Sequence, residues 1–375
     1  MKVRSIREKV LENLFYYLDK AKENLEKNGC YVYEAKDSKE ALKIIKELVG
    51  EEKLVLKSKT NVGKEIHLKE ELRKSGIEII ETDCGDFIID CLGLEGNHPV
   101  IPCYGLTLEK IAEGLSKKLG VKVEPNPESI VNAVRNYVKS KLNEAKIGIT
   151  GANAISSEGS IFLVENEGNI SFVSRLEKHI VLAGIEKVNP TDEDCIKICK
   201  AQAEALGIPW TYINVISGPS KTGDIPNTIV KGMYGAKEVH VIFLDNGRRK
   251  LYESEFREIL MCLGCGACLL ECPVFNILLG ELGFEHKGVR GIILQFFQKE
   301  LSDIFKKAYY CICCGRCKDR CPVELDIPEL VRKMRYKLIK AGLETEVNKK
   351  MIEKIRKYGN TVGEIKGEKV EFFCC

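Results

Sequence analysis

"CLGCGACLLECP" at residues 262–273 and "CICCGRCKDRCP" at residues 311–322 decide how the second half of this chain is read. Cys262, Cys265, Cys268 and Cys272 stand in the register C-x2-C-x2-C-x3-C-P, and Cys311, Cys314, Cys317 and Cys321 repeat it. Thiolates in this register ligate [4Fe–4S] clusters. Three of them on one tight loop reach three irons of one cubane, while the fourth, turned away by its proline, serves the other cubane. Cys262, Cys265, Cys268 and Cys321 are therefore expected to hold one cluster, and Cys311, Cys314, Cys317 and Cys272 the other. Gly264, Gly266 and Gly315 let backbone amides turn toward the sulfurs. Zinc also uses paired C-x2-C units, but a zinc site takes four ligands and gives no role to four more in this register. Cys313 interrupts the second run and reads as a small packed hydrophobe.

The chain has 375 residues, long enough for two domains, and 17 cysteines. An odd number cannot all pair as disulfides. The opening "MKVRSIREKVLENLFYYLDKAKENLEKNG" is charged and helix-periodic, unlike a secretory signal, so a reducing cytoplasmic location is expected. No run approaches the roughly 18 apolar residues of a membrane helix. A net charge of +3 from 58 basic and 55 acidic residues gives no reason to invoke nucleic acid or an anionic membrane. Cys30, Cys84, Cys91 and Cys103 are scattered and read as buried thiols. Cys195 and Cys199 share a helix face without two further ligands nearby, and Cys374 and Cys375 receive no assignment.

Working back from the cysteine runs, residues 5–28 predict one long amphipathic helix stopped by Asn28-Gly29. "SKEALKIIKELV" (38–49) predicts a helix capped by Ser38. Strands are expected over 30–35, 53–58, 77–83, 145–152, 160–166, 178–184, 211–217 and 238–245, with helices over 64–75, 107–119, 128–142 and 191–206. That alternation is an α/β domain with a largely parallel sheet, made mixed by the close succession of strands between 145 and 184. After about 250 strand signals vanish. The expected division is residues 1–250 as the α/β domain with its N-terminal helix, and 251–345 as an all-α two-cluster domain. Residues 346–375 follow as a C-terminal helix, part of one expected over 325–357, and the strand-like tail "GEKVEFFCC".

Three loops in the first domain carry polar side chains suited to a ligand. "KSKTNVGKE" (57–65) follows a strand and opens a helix, presenting Lys59 and Glu65. "GITGANAISSEGS" (148–160) contains Glu158, and "SGPSKTGDIP" (217–226) contains Lys221 and Asp224 and leads toward a helix. Loops after strand C-termini are where open α/β sheets bind ligands, although the same residue types also make ordinary turns and caps. None fits the dinucleotide or P-loop glycine pattern.

"SKTNVGKEIHL", "ETDCGDFII", "GITGANAISSEGSIFLVENEGN", "KHIVLAGIEKV", "GPSKTGDI" and "LDNGR", followed by two ferredoxin runs, resemble the LUD domain and iron–sulfur B subunit of lactate-utilisation complexes. The resemblance spans about 50 to 335. It implies a NagB/RpiA/CoA-transferase-like α/β fold followed by a helical two-cluster ferredoxin domain. It also implies a role in oxidising L-lactate with sister redox subunits, one of them carrying CCG-type cysteine motifs.

The leading expectation is thus an electron-transfer subunit of a 2-hydroxy-acid oxidoreductase with two [4Fe–4S] clusters. Lys59, Glu65, Glu158, Lys221 and Asp224 are its candidate ligand contacts. Two rivals stand beside it: a CoA- or acyl-transferase-like enzyme with Glu158 as nucleophile, and an interaction module without a small ligand.

Overall fold

The computed structural model describes residues 2–364, so the tail containing Cys374 and Cys375 lies outside the described residues. Twelve strands form: β1 (Tyr31–Ala35), β2 (Leu54–Lys57), β3 (Glu78–Glu81), β4 (Ile147–Thr150), β5 (Ala154–Ser156), β6 (Ile161–Glu165), β7 (Lys178–Gly184), β8 (Val188–Asn189), β9 (Tyr212–Ile216), β10 (Lys221–Ile225), β11 (Thr228–Lys231) and β12 (Glu238–Leu244). Six of them make one sheet in the order β1-β12-β7-β4-β2-β3, and every pairing in it is parallel. The mixed pairings sit in a separate sheet, β8-β5-β6-β9, where β5 pairs antiparallel with β6 and parallel with β8.

The apolar runs are continuous because both faces of the six-stranded sheet are covered. Successive side chains alternate between those faces. Ile180 and Leu182 of β7, with Ile242 and Leu244 of β12, join one core with Ala41, Ile45 and Val49 of the helix Ser38–Val49. Val181, Ala183, Val241 and Phe243 point the other way, into a core with Ile6, Val10, Leu14, Leu18, Ala21 and Leu25. Burying one such side chain is worth about 1.5–3 kcal/mol, so a strand buried on both faces is held far more strongly than its hydrogen bonds alone would hold it.

Several local expectations are corrected. The N-terminal segment is two helices, Val3–Glu12 and Leu14–Lys27, broken where Asn13 leaves helical dihedrals (φ −134°, ψ 38°), yet its buried stripe runs through the break. Asp37, not Ser38, caps the helix Ser38–Val49, accepting the Glu40 N–H. The expected helix over 64–75 is Asn61–Glu65 followed by Leu68–Lys74, separated by His67 in the left-handed region. The loop at 217–226 does not lead to a helix; it begins an exposed hairpin, β10–β11, turning at Asn227 with φ 59°. A helix over Cys84–Leu92 was not expected, because its apolar run is too short to declare a period.

After Leu244 the described chain has no strand. The helices Pro273–Leu278, Gly288–Leu294, Leu301–Ala308, Ile327–Lys340 and Glu346–Tyr358 carry the cysteine loops, and the last two replace the single helix expected over 325–357. The second core does not stop at this change of texture. Phe256, Ile259, Leu260, Ile292, Ile293, Leu330 and Met334 belong to the same buried cluster as Val10 and Phe243. Among the described residues no helix is long and apolar enough to cross a membrane.

Candidate functional site

The two cysteine runs fold alike. Gly266 (φ 82°) precedes the short helix Ala267–Leu270, and Gly315 (φ 86°) precedes Arg316–Asp319, so each third cysteine, Cys268 and Cys317, sits inside a single helical turn. That backbone conformation favours glycine. Pro273 starts the helix after Cys272 and turns it out of its own loop.

The eight cysteines of the two runs are partly buried close to one another, with Cys314 the exposed one. Burial pushes the Cys268 thiol well above its ordinary pKa, and Cys262, Cys265 and Cys321 raise it further. Cys317 is pushed up to about 12 by burial and then by Cys311, Cys272 and Cys314. Cys268, Cys272, Cys311, Cys314 and Cys317 line one small cavity, so the two runs meet there.

The surrounding charges fit an anionic iron–sulfur centre. Arg290 is buried, with Nη1 3.7 Å from Cys262 Sγ, and its Nε and Nη2 have no hydrogen-bond partner among the described residues. Unpaired guanidinium nitrogens are expensive to bury, and cluster sulfurs would accept from them. Near the second group Arg335 donates to the carbonyls of Ala308 and Cys311 and lies 3.8 Å from the sulfur of Cys313, which is outside the expected ligand set. No three His, Cys, Asp or Glu side chains among the described residues converge on a single ion-sized point. A cubane does not require that, because its thiolates bind separate irons at its corners.

Side chains of the α/β part clamp the first cysteine loop. Lys187 Nζ and Gln202 Nε2 both donate to the Leu263 carbonyl, at 3.1 and 2.7 Å. His98 Nδ1 accepts the N–H groups of Val100 and Ile101, so the ring proton resides on Nε2 and is donated to the Gly266 carbonyl at 3.1 Å. Burial, the larger cause, pushes His98 down to about 4, keeping it in this neutral form.

Beside this loop lies a cavity of about 390 Å³ at the C-terminal ends of β2, β4, β6 and β7. Its wall toward the cysteines is formed by Cys262, Leu263, Gly264, Cys265 and Arg290. Lys59, Asp83 and Glu167 also line it, as do the apolar side chains of Ile170, Leu206, Ile208 and Trp210. Lys59 Nζ donates to the Val100 carbonyl (2.8 Å) and pairs with Asp83 Oδ2 (2.9 Å). Partial burial, then the charge of Asp83, pushes the Glu167 carboxyl up to about 7. Water still reaches this exposed side chain, and solvent screening draws the shift back toward the ordinary range.

Beneath the cavity a buried ionic network joins the two parts of the chain. Glu65 accepts from Arg248, from Asn246 and, across the boundary, from His286 (2.7 Å) and Gln298 (3.1 Å). Burial opposes its charge, but Arg248 and His286 outweigh that cost and hold the carboxyl far below its ordinary range.

Of the five residues singled out for ligand contact, Lys59 alone lines this cavity. Glu65 is committed to Arg248, and Glu158 accepts the Asp192 N–H at the start of the helix Asp192–Leu206. Lys221 and Asp224 stand on the exposed hairpin, where Asp224 bonds Thr222. Sequence reasoning missed Asp83, Glu167, Lys187 and Arg290. The first two immediately follow β3 and β6, so the rule that ligands gather at strand C-termini would have found them.

A family model described as "LUD domain" matches residues 18–244, and one described as "4Fe-4S dicluster domain" matches residues 258–325. Lactate utilization protein B of Bacillus subtilis (strain 168) is 33% identical over 357 residues, which cover 93% of this chain and 73% of that protein. The protein of the same name from Geobacillus sp. (strain WCH70) is 34% identical over 93% of this chain and 74% of its own length. A solved structure of a DUF162 family protein from Deinococcus radiodurans aligns distantly, with TM-score 0.34 and 12% identity over 62% of this chain and 98% of that one. With its parallel-sheet domain followed by a ferredoxin-type cysteine domain, the chain belongs to the LUD-domain family, alongside the proteins named Lactate utilization protein B.

Proposed function

We propose that this chain is the iron–sulfur electron-transfer subunit of a 2-hydroxy-acid oxidoreductase acting on L-lactate, passing electrons through two [4Fe–4S] clusters to a partner. Cys262, Cys265, Cys268 and Cys321 would hold the inner cluster, and Cys311, Cys314, Cys317 and Cys272 the outer one. Each centre, when bound, accepts and releases one electron at a time. The observation carrying the reading is the clamp: Lys187, Gln202 and His98 hold the inner loop against the α/β part at the edge of its cavity.

The remaining roles belong to the chain itself. Cys268 lines the same small cavity as Cys272, Cys311, Cys314 and Cys317, which would bring the two groups close together. Arg290 and Arg335 set positive charge against the sulfurs, which favours the reduced state and raises the potential. Cys314 is exposed, with Ile312 63% exposed beside it, which makes the outer group the natural exit toward sister redox subunits such as a CCG-motif protein. The free thiols suit the reducing cytoplasm.

Anaerobic purification and cluster loading test the reading. About eight irons and eight sulfides per chain are expected, with an EPR signal of two interacting reduced centres after dithionite. A colourless chain that binds zinc instead overturns it.

A further inference from the structure

The cavity is larger than lactate needs, and its lining combines charged with apolar side chains. We propose that it binds 2-hydroxy and 2-oxo acids that carry an apolar side chain longer than a methyl group. Their carboxylate would lie on Lys59, their hydroxyl or oxo oxygen on Glu167, and their side chain against Trp210. The inference deepens the 2-hydroxy-acid reading and rests on it for the substrate class, not for the site.

Lys59 has a donor to spare. An ammonium group carries three N–H bonds, and the Val100 carbonyl and Asp83 take two of them. Lys187 and Arg290 also line the cavity, but they point to the Leu263 carbonyl and Cys262 Sγ. Glu167 uses one oxygen to accept the Cys84 N–H at 3.0 Å, and its other oxygen has no partner among the described residues. That free oxygen can accept a hydrogen bond from a substrate hydroxyl, and the protonated carboxyl can donate one to an oxo oxygen. One carboxyl therefore serves both oxidation levels of the same acid.

Size and polarity set the side-chain preference. At about 390 Å³ the space falls within the range of pockets for drug-sized ligands, roughly 300–1,000 Å³, and a six-heavy-atom acid would leave most of it to water. Ile170, Leu206, Ile208 and Trp210 supply apolar lining, and the Thr211 N–H on Asn166 Oδ1 (2.8 Å) sets Trp210 beside the Glu167 loop. Each methylene buried there should tighten binding about fourfold.

Calorimetric titration of the cluster-loaded full chain with L-lactate, 2-hydroxybutyrate, 2-hydroxyisocaproate and isocaproate provides the test. Affinity is expected to rise about fourfold per methylene along the three hydroxy acids and to fall at least tenfold for isocaproate, which lacks the hydroxyl. Trp210→Ala should flatten the series. Glu167→Gln should weaken the three hydroxy acids and leave isocaproate unchanged, and Lys59→Met should weaken every member at least tenfold. A flat series in the unaltered protein, or no binding by any member, overturns the proposal. Iron content and dithionite reduction of the same sample report on the relay separately: a loaded, reducible chain that ignores all four acids loses the site and keeps the relay. A chain that binds the series but cannot be reduced keeps the site and loses the relay.

Discussion

Arg248 grips Glu65 with both terminal nitrogens, at 2.9 and 2.7 Å, and both side chains are fully buried. Arg248 Nε also meets Glu186 at 2.6 Å, and His286 and Gln298 reach Glu65 from the cysteine-bearing part. Removing one member leaves an uncompensated buried charge. Arg248→Met is expected to lower stability by about 3–5 kcal/mol in denaturant unfolding. A loss below about 1 kcal/mol would mean that the network is not a structural tie.

The proposed crossed grouping of thiols makes a prediction that a sequential grouping does not. Cys272→Ser combined with Cys317→Ser strikes one group twice, so iron should fall from about eight to about four per chain. Cys268→Ser combined with Cys272→Ser strikes both groups, and iron should fall toward zero. The reverse outcome in an iron assay would restore the sequential grouping.

Gly266 and Gly315 occupy matching places in the two loops, yet their surroundings differ. A Cβ on Gly266 would lie 2.5 Å from His98 Cε1, whereas one on Gly315 meets nothing within 4 Å. Both have positive φ, so alanine at either site pays backbone strain of about 1–2 kcal/mol. Gly266→Ala should in addition displace His98 and reduce loading of the inner cluster, while Gly315→Ala should load normally. Equal iron content in the two variants would count against the His98 clamp.

His179 lies fully buried in the central strand β7, with Nε2 2.8 Å from Thr150 Oγ1 and Nδ1 unpartnered among the described residues. Burial, and behind it the charge of His240, pushes the imidazole down to about 3. The unfolded chain takes up this proton first, near pH 6.5. The neutral ring's contribution is therefore fully present above about pH 6.5 and is lost as the pH falls toward 3. Near pH 5 the loss from this group is about 2 kcal/mol. Thermal melts of the wild type and His179→Asn between about pH 7 and 5 should show the flatter pH dependence in the variant. Parallel curves would remove His179 as the cause.

Much of this architecture is legible in the linear chain. Alternating apolar strands and helices read as an α/β unit because Ile180, Val181, Leu182 and Ala183 form one uninterrupted buried run, the mark of a strand covered on both faces. The loop at 217–226 misled because Gly, Ser, Thr and Asp serve hairpin turns as readily as ligand loops. Glu65 and Glu158 misled for a similar reason. A carboxylate in a polar loop looks the same whether it faces a ligand, an arginine or a helix N-terminus.

What the sequence by itself determined was the donor chemistry: eight cysteines in a repeated 2-2-3-Pro spacing, a property of two short loops that survives without knowledge of the rest. Only the tertiary structure decided what those loops face. Lys59, Asp83, Glu167, Lys187, Gln202 and Arg290 come from separate segments, and strand order and core packing bring them around one cavity beside Cys262 and Cys265. Ligand spacing within a turn is short-range geometry. Convergence of distant side chains is set by how buried strands and helices pack, and no local pattern encodes it.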